Sequence, residues 1–278
     1  MIRPTIPLAG VIGDPISHSL SPRLHGHWLR RYGLRGHYVP LHITHANIAD
    51  ALRILPEMGF VGVNVTIPHK EYVLSLASNV TDRAALIGAA NTLTFLSEGR
   101  IQADNTDGQG FISSIRQALP GWTASAGPAL VLGSGGAAKA IVSALISDGA
   151  PHVFVANRTR ARAEGLKEQF GARVDPQDWT HIPSLVGQAA LVVNTTSLGM
   201  TGQPPLTLDL SRLAPPTVVT DIVYSPLETD LLRDARAAGC ETVDGLGMLL
   251  HQAVPGFERW FSYTPLVDED LRQAVLAA

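Results

Sequence analysis

The stretch ALVLGSGGAAKAIVSALIS, residues 129–147, decides the fold. Its first four residues are apolar and suit a buried strand, a turn of small residues follows, and the apolar positions then take a helical spacing. Gly133, Gly135 and Ala138 form a G-x-G-x-x-A arrangement at that junction. In such a strand–turn–helix unit the first glycine permits the tight turn and the second lets the backbone approach a pyrophosphate. The small third residue lets the helix pack on the strand. The N–H groups at the helix start then face phosphate. A tight turn without a ligand is the alternative that spacing leaves open.

The end of the next strand decides which dinucleotide such a unit takes. Here it reads FVANRTRARAEGL, residues 154–166. Asn157 stands where an NAD site would carry an acid for the ribose 2′-hydroxyl, and Arg158, Thr159, Arg160 and Arg162 follow. Arginines at a helix start oppose the macrodipole at a cost of about 0.3 kcal/mol or more each, and an anionic ligand reverses that sign. A 2′-phosphate is such an anion, so the reading favours NADP over NAD. The bland alternative is a solvated basic face with Thr159 as the helix N-cap.

Outward from this unit, short apolar runs alternate with helical stretches along the whole chain, the pattern of an α/β protein with a mostly parallel sheet. Strands are expected at 8–13, 37–43, 62–67 and 91–96, and again at 129–133, 152–157, 190–196 and 217–223. Helices are expected near 22–32, 45–58, 70–78, 136–148 and 159–170. The stretch ALPGWTASAGP, 118–128, reads as a connection with a domain boundary just before it. The expected architecture is two α/β units facing each other, the second of them Rossmann-like.

Composition narrows the function. A chain of 278 residues suggests two domains at about 150 residues each. Charged residues are only 16% and the formal net charge is −3, so there is no basic footprint for nucleic acid. Cys240 is the only cysteine, which excludes an intramolecular disulfide and fits a reducing compartment. No signal pattern and no membrane-length apolar run are present. The expectation is a cytoplasmic protein acting on small molecules. Ten histidines invite a metal, but His25 and His27 are two apart on a predicted helix and point away from each other, so no metal site is expected.

A second stretch, VNVTIPHKE (63–71), alternates as a strand does and places Lys70 just beyond its end. In an open α/β sheet that is the side on which ligands bind. A solvated lysine opening the next helix is the alternative, and His69 could compete for a catalytic role. GDPISHSLSP (13–22) offers Ser19 and Ser21, with Ser21 a plausible N-cap before Pro22. ADNTDGQGF (103–111) packs Asp104, Asn105, Thr106 and Asp107 together, which a surface turn would explain equally well.

Nine motifs in order, SHSLSP, GVNVTIPHKE, GAANTL, DNTDG, GSGGAAKA, NRTRARA, NTTSLGM, DIVYSPLETDLL and DGLGMLLHQA, make nearly the whole chain resemble the shikimate dehydrogenase family. The resemblance implies reversible reduction of 3-dehydroshikimate to shikimate with NADPH. It implies a substrate domain over 1–106, an NADP-binding domain over 107–244, and C-terminal helices over 245–278 that return to the first. It makes Lys70 and Asp107 the catalytic pair, Ser19 and Ser21 the carboxylate ligands, and Thr66, Asn91 and Gln252 the hydroxyl-binding positions. Gly133, Gly135, Gly136 and Ala137 would line the pyrophosphate turn, and Asn157, Arg158, Thr159 and Arg162 the 2′-phosphate and adenine region. Gly245 and Met248 would lie near the nicotinamide and Tyr224 near the substrate. The chain would act as a monomer or homodimer.

The sequence departs from the family at Pro255 and Gly256, where a kink or break is expected after Val254. Two rival readings stand beside the first. One is a broader quinate/shikimate dehydrogenase using NAD or NADP. The other is a non-catalytic sensor that keeps the pocket, against which the retention of both Lys70 and Asp107 speaks.

Overall fold

The computed structural model describes residues 6–277. The chain forms two compact units, one running to Thr106 and resuming at Leu250, the other spanning Asp107–Leu249.

In the first unit the elements run β1 (Leu8–Gly13), α1 (Ser21–Arg31), β2 (His37–His42), α2 (Ile48–Ile54), β3 (Phe60–Val65), α3 (Val73–Leu76), β4 (Asn79–Val80), α4 (Asp82–Ile87), β5 (Thr92–Phe95) and β6 (Ile101–Asp104). They build one six-stranded sheet of order β2-β1-β3-β5-β6-β4. β1 pairs in parallel with both β2 and β3. β5 runs antiparallel to both β3 and β6, so the sheet is mixed. Ile12, Val63, Val65, Leu93 and Ala103 fill the core on this sheet. α1 buries Leu24, His25, Trp28 and Leu29 and ends on Arg30 and Arg31, the charge its C-terminus favours.

The second unit runs α5 (Asp107–Ala118), β7 (Ala129–Leu132), α6 (Gly136–Ser147), β8 (Val153–Ala156), α7 (Arg160–Phe170), β9 (Val174–Gln177), α8 (Ile182–Val186), β10 (Leu191–Asn194), β11 (Val218–Asp221), α9 (Asp230–Ala237) and β12 (Glu241–Val243). All of its pairings are parallel. The order β12-β11-β10-β7-β8-β9 reverses between β7 and β10, as in a doubly wound dinucleotide fold. Strands such as ALVL and LVVN are buried along their whole length, because apolar layers cover both faces. The chain ends with α10 (Gly245–Phe261) and α11 (Glu269–Leu276).

Several expectations need correction. The helix expected over 45–58 is α2 alone, and that over 70–78 shrinks to α3. The connection at 118–128 lies inside the second unit, between α5 and β7, and not at the division of the chain. The break expected after Val254 is absent. α10 continues through Pro255, with Phe257 and Trp260 completely buried on its far side. Ser21 is not an N-cap: Leu20 holds that position without a side-chain bond, and Ser21 begins the helix.

Candidate active site

β3 delivers the first group of functional side chains. Beyond Val65 the chain turns tightly, with Thr66 N–H bonded to the Ile12 carbonyl at 2.9 Å and His69 N–H to the Thr66 carbonyl at 3.0 Å. His69 is completely buried, and its Nε2 lies 2.7 Å from the Ile43 carbonyl oxygen. A carbonyl only accepts, so Nε2 carries the proton and the ring is an anchor of the turn. The neighbouring Lys70 is half-buried, and its carbonyl takes the Ala90 N–H at 2.7 Å. Thr66, also half-buried, packs its methyl where a Cβ on Gly13 would come within 2.6 Å.

Ala90 leads into Asn91, the centre of a buried polar network. Asn91 Oδ1 accepts the Thr106 N–H at 2.9 Å and the Thr92 hydroxyl at 2.9 Å. Its Nδ2 donates to Thr106 Oγ1 and to Gln252 Oε1, both at 3.0 Å. The Thr106 hydroxyl donates to the Gln252 carbonyl at 2.8 Å. Beneath them the Asn64 amide donates to the Asn91 carbonyl at 3.1 Å and to Thr92 Oγ1 at 3.2 Å, and accepts from the Tyr38 hydroxyl at 2.7 Å. Every member is buried, so each bond is worth more than at a wet surface and each loss costs more. The structure thus joins Asn91 to Gln252. It also shows that Tyr38, Asn64, Thr92 and Thr106 belong to the same assembly, which sequence spacing could not reveal.

Asp104 is a further residue whose role the sequence hid. It is completely buried, not part of a surface turn. Its carboxylate accepts from Thr81 at 2.8 Å, from Arg83 through Nε at 2.6 Å and from Arg259 at 2.5 Å. Burial would push this carboxyl up, but the bonds from Arg83, Arg259 and Thr81 outweigh it and hold it well below the usual range. At the start of α1, Ser19 Oγ accepts the Ser21 N–H at 3.3 Å, so Ser19 supports the turn while Ser21 is buried.

In the second unit Gly133 adopts φ +109°, and a Cβ there would meet Thr195 Oγ1 at 2.6 Å. Only glycine suits that corner. Gly135 caps α6 and has nothing within 4 Å of a Cβ position, leaving the approach to the helix start open. Gly136 and Ala137 begin the helix half-buried, while Ala138 is completely buried against the core. The open approach and the small residues fit a pyrophosphate at this turn.

After β8, Asn157 Nδ2 holds the Thr159 carbonyl at 2.9 Å, and Thr159 is the N-cap of α7 without a side-chain cap bond. Arg160 is committed to Glu164 at 3.0 Å and Asp178 at 2.8 Å. Arg158 and Arg162 are exposed and have no side-chain partner among the described residues. That separates two cations available to a phosphate from one that is spoken for.

Asp107 begins α5 and is buried. Gly245 begins α10 so close to the Ile222 carbonyl that a Cβ would come within 2.4 Å, and Met248 lies in the apolar core of its unit. Tyr224, past β11, is half-buried, and burial pushes its phenol up. Asp221 on β11 accepts from Asn194 at 3.0 Å, Thr229 at 2.8 Å and the Val223 N–H at 3.0 Å, so the NTTSLGM and DIVYSPLETDLL motifs lock β10, β11 and α9 together.

Residues 11–93 match the family described as shikimate dehydrogenase substrate binding domain, and residues 117–201 match shikimate / quinate 5-dehydrogenase. A Shikimate dehydrogenase (NADP(+)) of Jannaschia sp. (strain CCS1) is 83% identical over 277 residues, covering 100% of both chains. The chain belongs to the shikimate dehydrogenase family. Among solved structures of the family, quinate dehydrogenase from Corynebacterium glutamicum in complex with NAD has a TM-score of 0.90 at 32% identity, covering 98% of this chain and 99% of that one. Shikimate 5-dehydrogenase from Thermus thermophilus in complex with NADP(H) and shikimate has a TM-score of 0.86 at 35% identity, covering 98% of each. Shikimate dehydrogenases thus share this two-unit α/β architecture.

Proposed function

We propose that this shikimate dehydrogenase catalyses the reversible reduction of 3-dehydroshikimate to shikimate with NADPH, and that Lys70 and Asp107 are its acid–base pair. The full-length 83% identity to an NADP-dependent relative carries the reading. The cofactor supplies the hydride. Lys70 stabilises the alkoxide that develops at the reduced carbon and gives it a proton, and Asp107 orients the Lys70 ammonium and a substrate hydroxyl. Ser19 and Ser21 take the carboxylate end of the substrate, Thr66, Asn91 and Gln252 its hydroxyls, and Tyr224 lies near the substrate. In this reading the first unit is the substrate domain and the second the cofactor domain. Gly133, Gly135, Gly136 and Ala137 receive the pyrophosphate, Gly245 and Met248 flank the nicotinamide, and Asn157, Thr159, Arg158 and Arg162 hold the adenosine 2′-phosphate.

The likeness to an NAD-bound quinate dehydrogenase keeps a second reading in view, that of a broader quinate/shikimate enzyme. Two exposed arginines without side-chain partners among the described residues, shortly after Asn157 at the position where an NAD site needs an acid, favour the NADP reading. No helix among the described residues is long and apolar enough to cross a membrane. The single cysteine is buried and free, which suits a reducing compartment and supports a cytoplasmic enzyme. In this reading it acts as a monomer or homodimer.

Initial rates with shikimate and quinate, each with NADP+ and NAD+, test the proposal. Turnover with shikimate and NADP+ far above the other three combinations is expected. Comparable rates with quinate or NAD+ would establish the broader enzyme. Shikimate binding without turnover would establish the sensor.

A further inference from the structure

Gln252 and Arg259 lie seven residues apart on α10, two helical turns, and so on one stripe of the helix. Both are bonded to the same segment of chain. Arg259 donates to Asp104 Oδ2 at 2.5 Å, and the Gln252 carbonyl accepts from Thr106 at 2.8 Å. Between these anchors stand Pro255 and Gly256. Proline has no N–H for the carbonyl of His251, so the helical ladder loses a rung there, and glycine adds backbone freedom. The helix is therefore weakest between the residue that faces the hydroxyl-binding site and the residue that grips the sheet.

Gly256 has a packing reason of its own. A Cβ there would come within 2.9 Å of the Trp260 ring, whose Nε1 donates to the Leu93 carbonyl at 3.2 Å. The far half of the helix is thus fixed to the sheet by Trp260 and Arg259. Gln252 is held directly by Asn91 and Thr106 on its own side, and the grip of the far half reaches it only across a joint with one bond missing.

We infer that Arg259 is a positioning residue: its bond to Asp104 sets the register of α10 across the Pro255–Gly256 joint and thereby places the Gln252 amide for the substrate hydroxyl. The inference rests on the reading of Gln252 as a substrate ligand. Arg83 provides the internal comparison, since it bonds the same carboxylate at 2.6 Å from a different helix, α4. Asp104 keeps one arginine whichever of the two is removed, so neither variant leaves a bare buried charge.

The test is steady-state kinetics on the full-length enzyme, with KM for shikimate and for NADP+ measured separately. Arg259→Met is expected to raise the shikimate KM about fivefold or more, with the NADP+ KM within about twofold. Arg83→Met is expected to leave both within about twofold, although it removes as much charge from Asp104. Pro255→Ala restores the missing rung, so adding it to Arg259→Met should return the shikimate KM to within about twofold of the parent. An unchanged shikimate KM in Arg259→Met, an equal rise in Arg83→Met, or a double variant as impaired as the single would each overturn the inference. If Arg259→Met does not fold, Arg259→Lys is measured in its place: a smaller rise confined to the shikimate KM is expected, and no rise overturns it. Gln252→Ala separates the two levels. If it leaves the shikimate KM unchanged, the reading of Gln252 fails and the positioning role falls with it. If it raises that KM while Arg259→Met does not, only the positioning role fails.

Discussion

Asn91 Nδ2 donates to Gln252 Oε1 at 3.0 Å, joining two residues 161 positions apart in the chain. The bond fixes the orientation of both amides, because Asn91 Oδ1 is already occupied by the Thr106 N–H and the Thr92 hydroxyl. Two hydroxyl-binding candidates from opposite ends of the sequence are therefore presented as one preset group.

Asn91→Ala should damage binding and stability together. The Thr106 N–H would lose its acceptor inside a closed environment, at a cost of about 1–3 kcal/mol. The expected outcome is a lower urea midpoint together with a shikimate KM raised about tenfold or more. An unchanged shikimate KM with lowered stability would make Asn91 purely architectural.

Lys70→Ala should act on turnover. Removing a group that stabilises and protonates a developing alkoxide typically costs about 10²–10⁴-fold in rate. The half-buried position of Lys70 beyond β3 suits that role, and the buried His69 ring holds the turn. Expected is a fall in kcat of that size with shikimate affinity, measured by fluorescence or calorimetric titration, changed much less. A large loss of affinity with normal turnover would reassign Lys70 to binding.

How much of this is legible in the sequence depends on the range of the interaction. Gly133, Gly135 and Ala138 act through the chain beside them, so their spacing announces β7, the turn and α6. β6 escapes a sequence reading because the apolar–polar alternation of IQAD spans only four residues and runs straight into the polar stretch NTD. Its place is set by antiparallel pairing with β5 and by the arginines on Asp104. The same carboxylate resembles part of a surface turn because both arginines come from other elements. Pro255 misleads for a related reason. Local propensity favours a break, but burial of Phe257 and Trp260 and the Asp104–Arg259 bond outweigh one lost rung.

The arginines after β8 should sort by partnership. Arg158 and Arg162 have no side-chain partner among the described residues, whereas Arg160 is held by Glu164 and Asp178. Replacing Arg158 and Arg162 together by alanine should raise the NADP+ KM about tenfold or more and leave the NAD+ KM nearly unchanged. Arg160→Ala should alter neither by more than about twofold. Equal effects of the double and single variants on NADP+ would show that the cluster acts through its overall charge and not through two specific contacts.

His25 should make the fold sensitive to mild acid. It is completely buried, stacked on Tyr38 with ring centroids 3.9 Å apart and planes within 4°, and edge-on to Trp28. No hydrogen bond of ordinary geometry from the described residues reaches either ring nitrogen. Burial lowers its pKa to about 3, against the weaker opposing pull of the Asn64 amide. The unfolded chain takes up a proton at this residue below about pH 6.5, whereas the folded chain does not until about pH 3. Stability is therefore complete above about pH 6.5 and drains away as the pH falls through that window, by about 1.4 kcal/mol per unit from this group. His251, also lowered by burial but only half-buried, adds a smaller loss of the same sign. Asp104 adds nothing until the pH nears about 4, because its pKa is depressed and its stabilisation is lost only as carboxylates protonate. His25→Leu replaces the unpartnered ring by an apolar side chain, so urea midpoints at about pH 7.5 should change little, while the decline between about pH 6.5 and about pH 4.5 should become markedly shallower. Parallel declines in the two proteins would mean that His25 is protonated in the folded state and that its aromatic stack accommodates the charge.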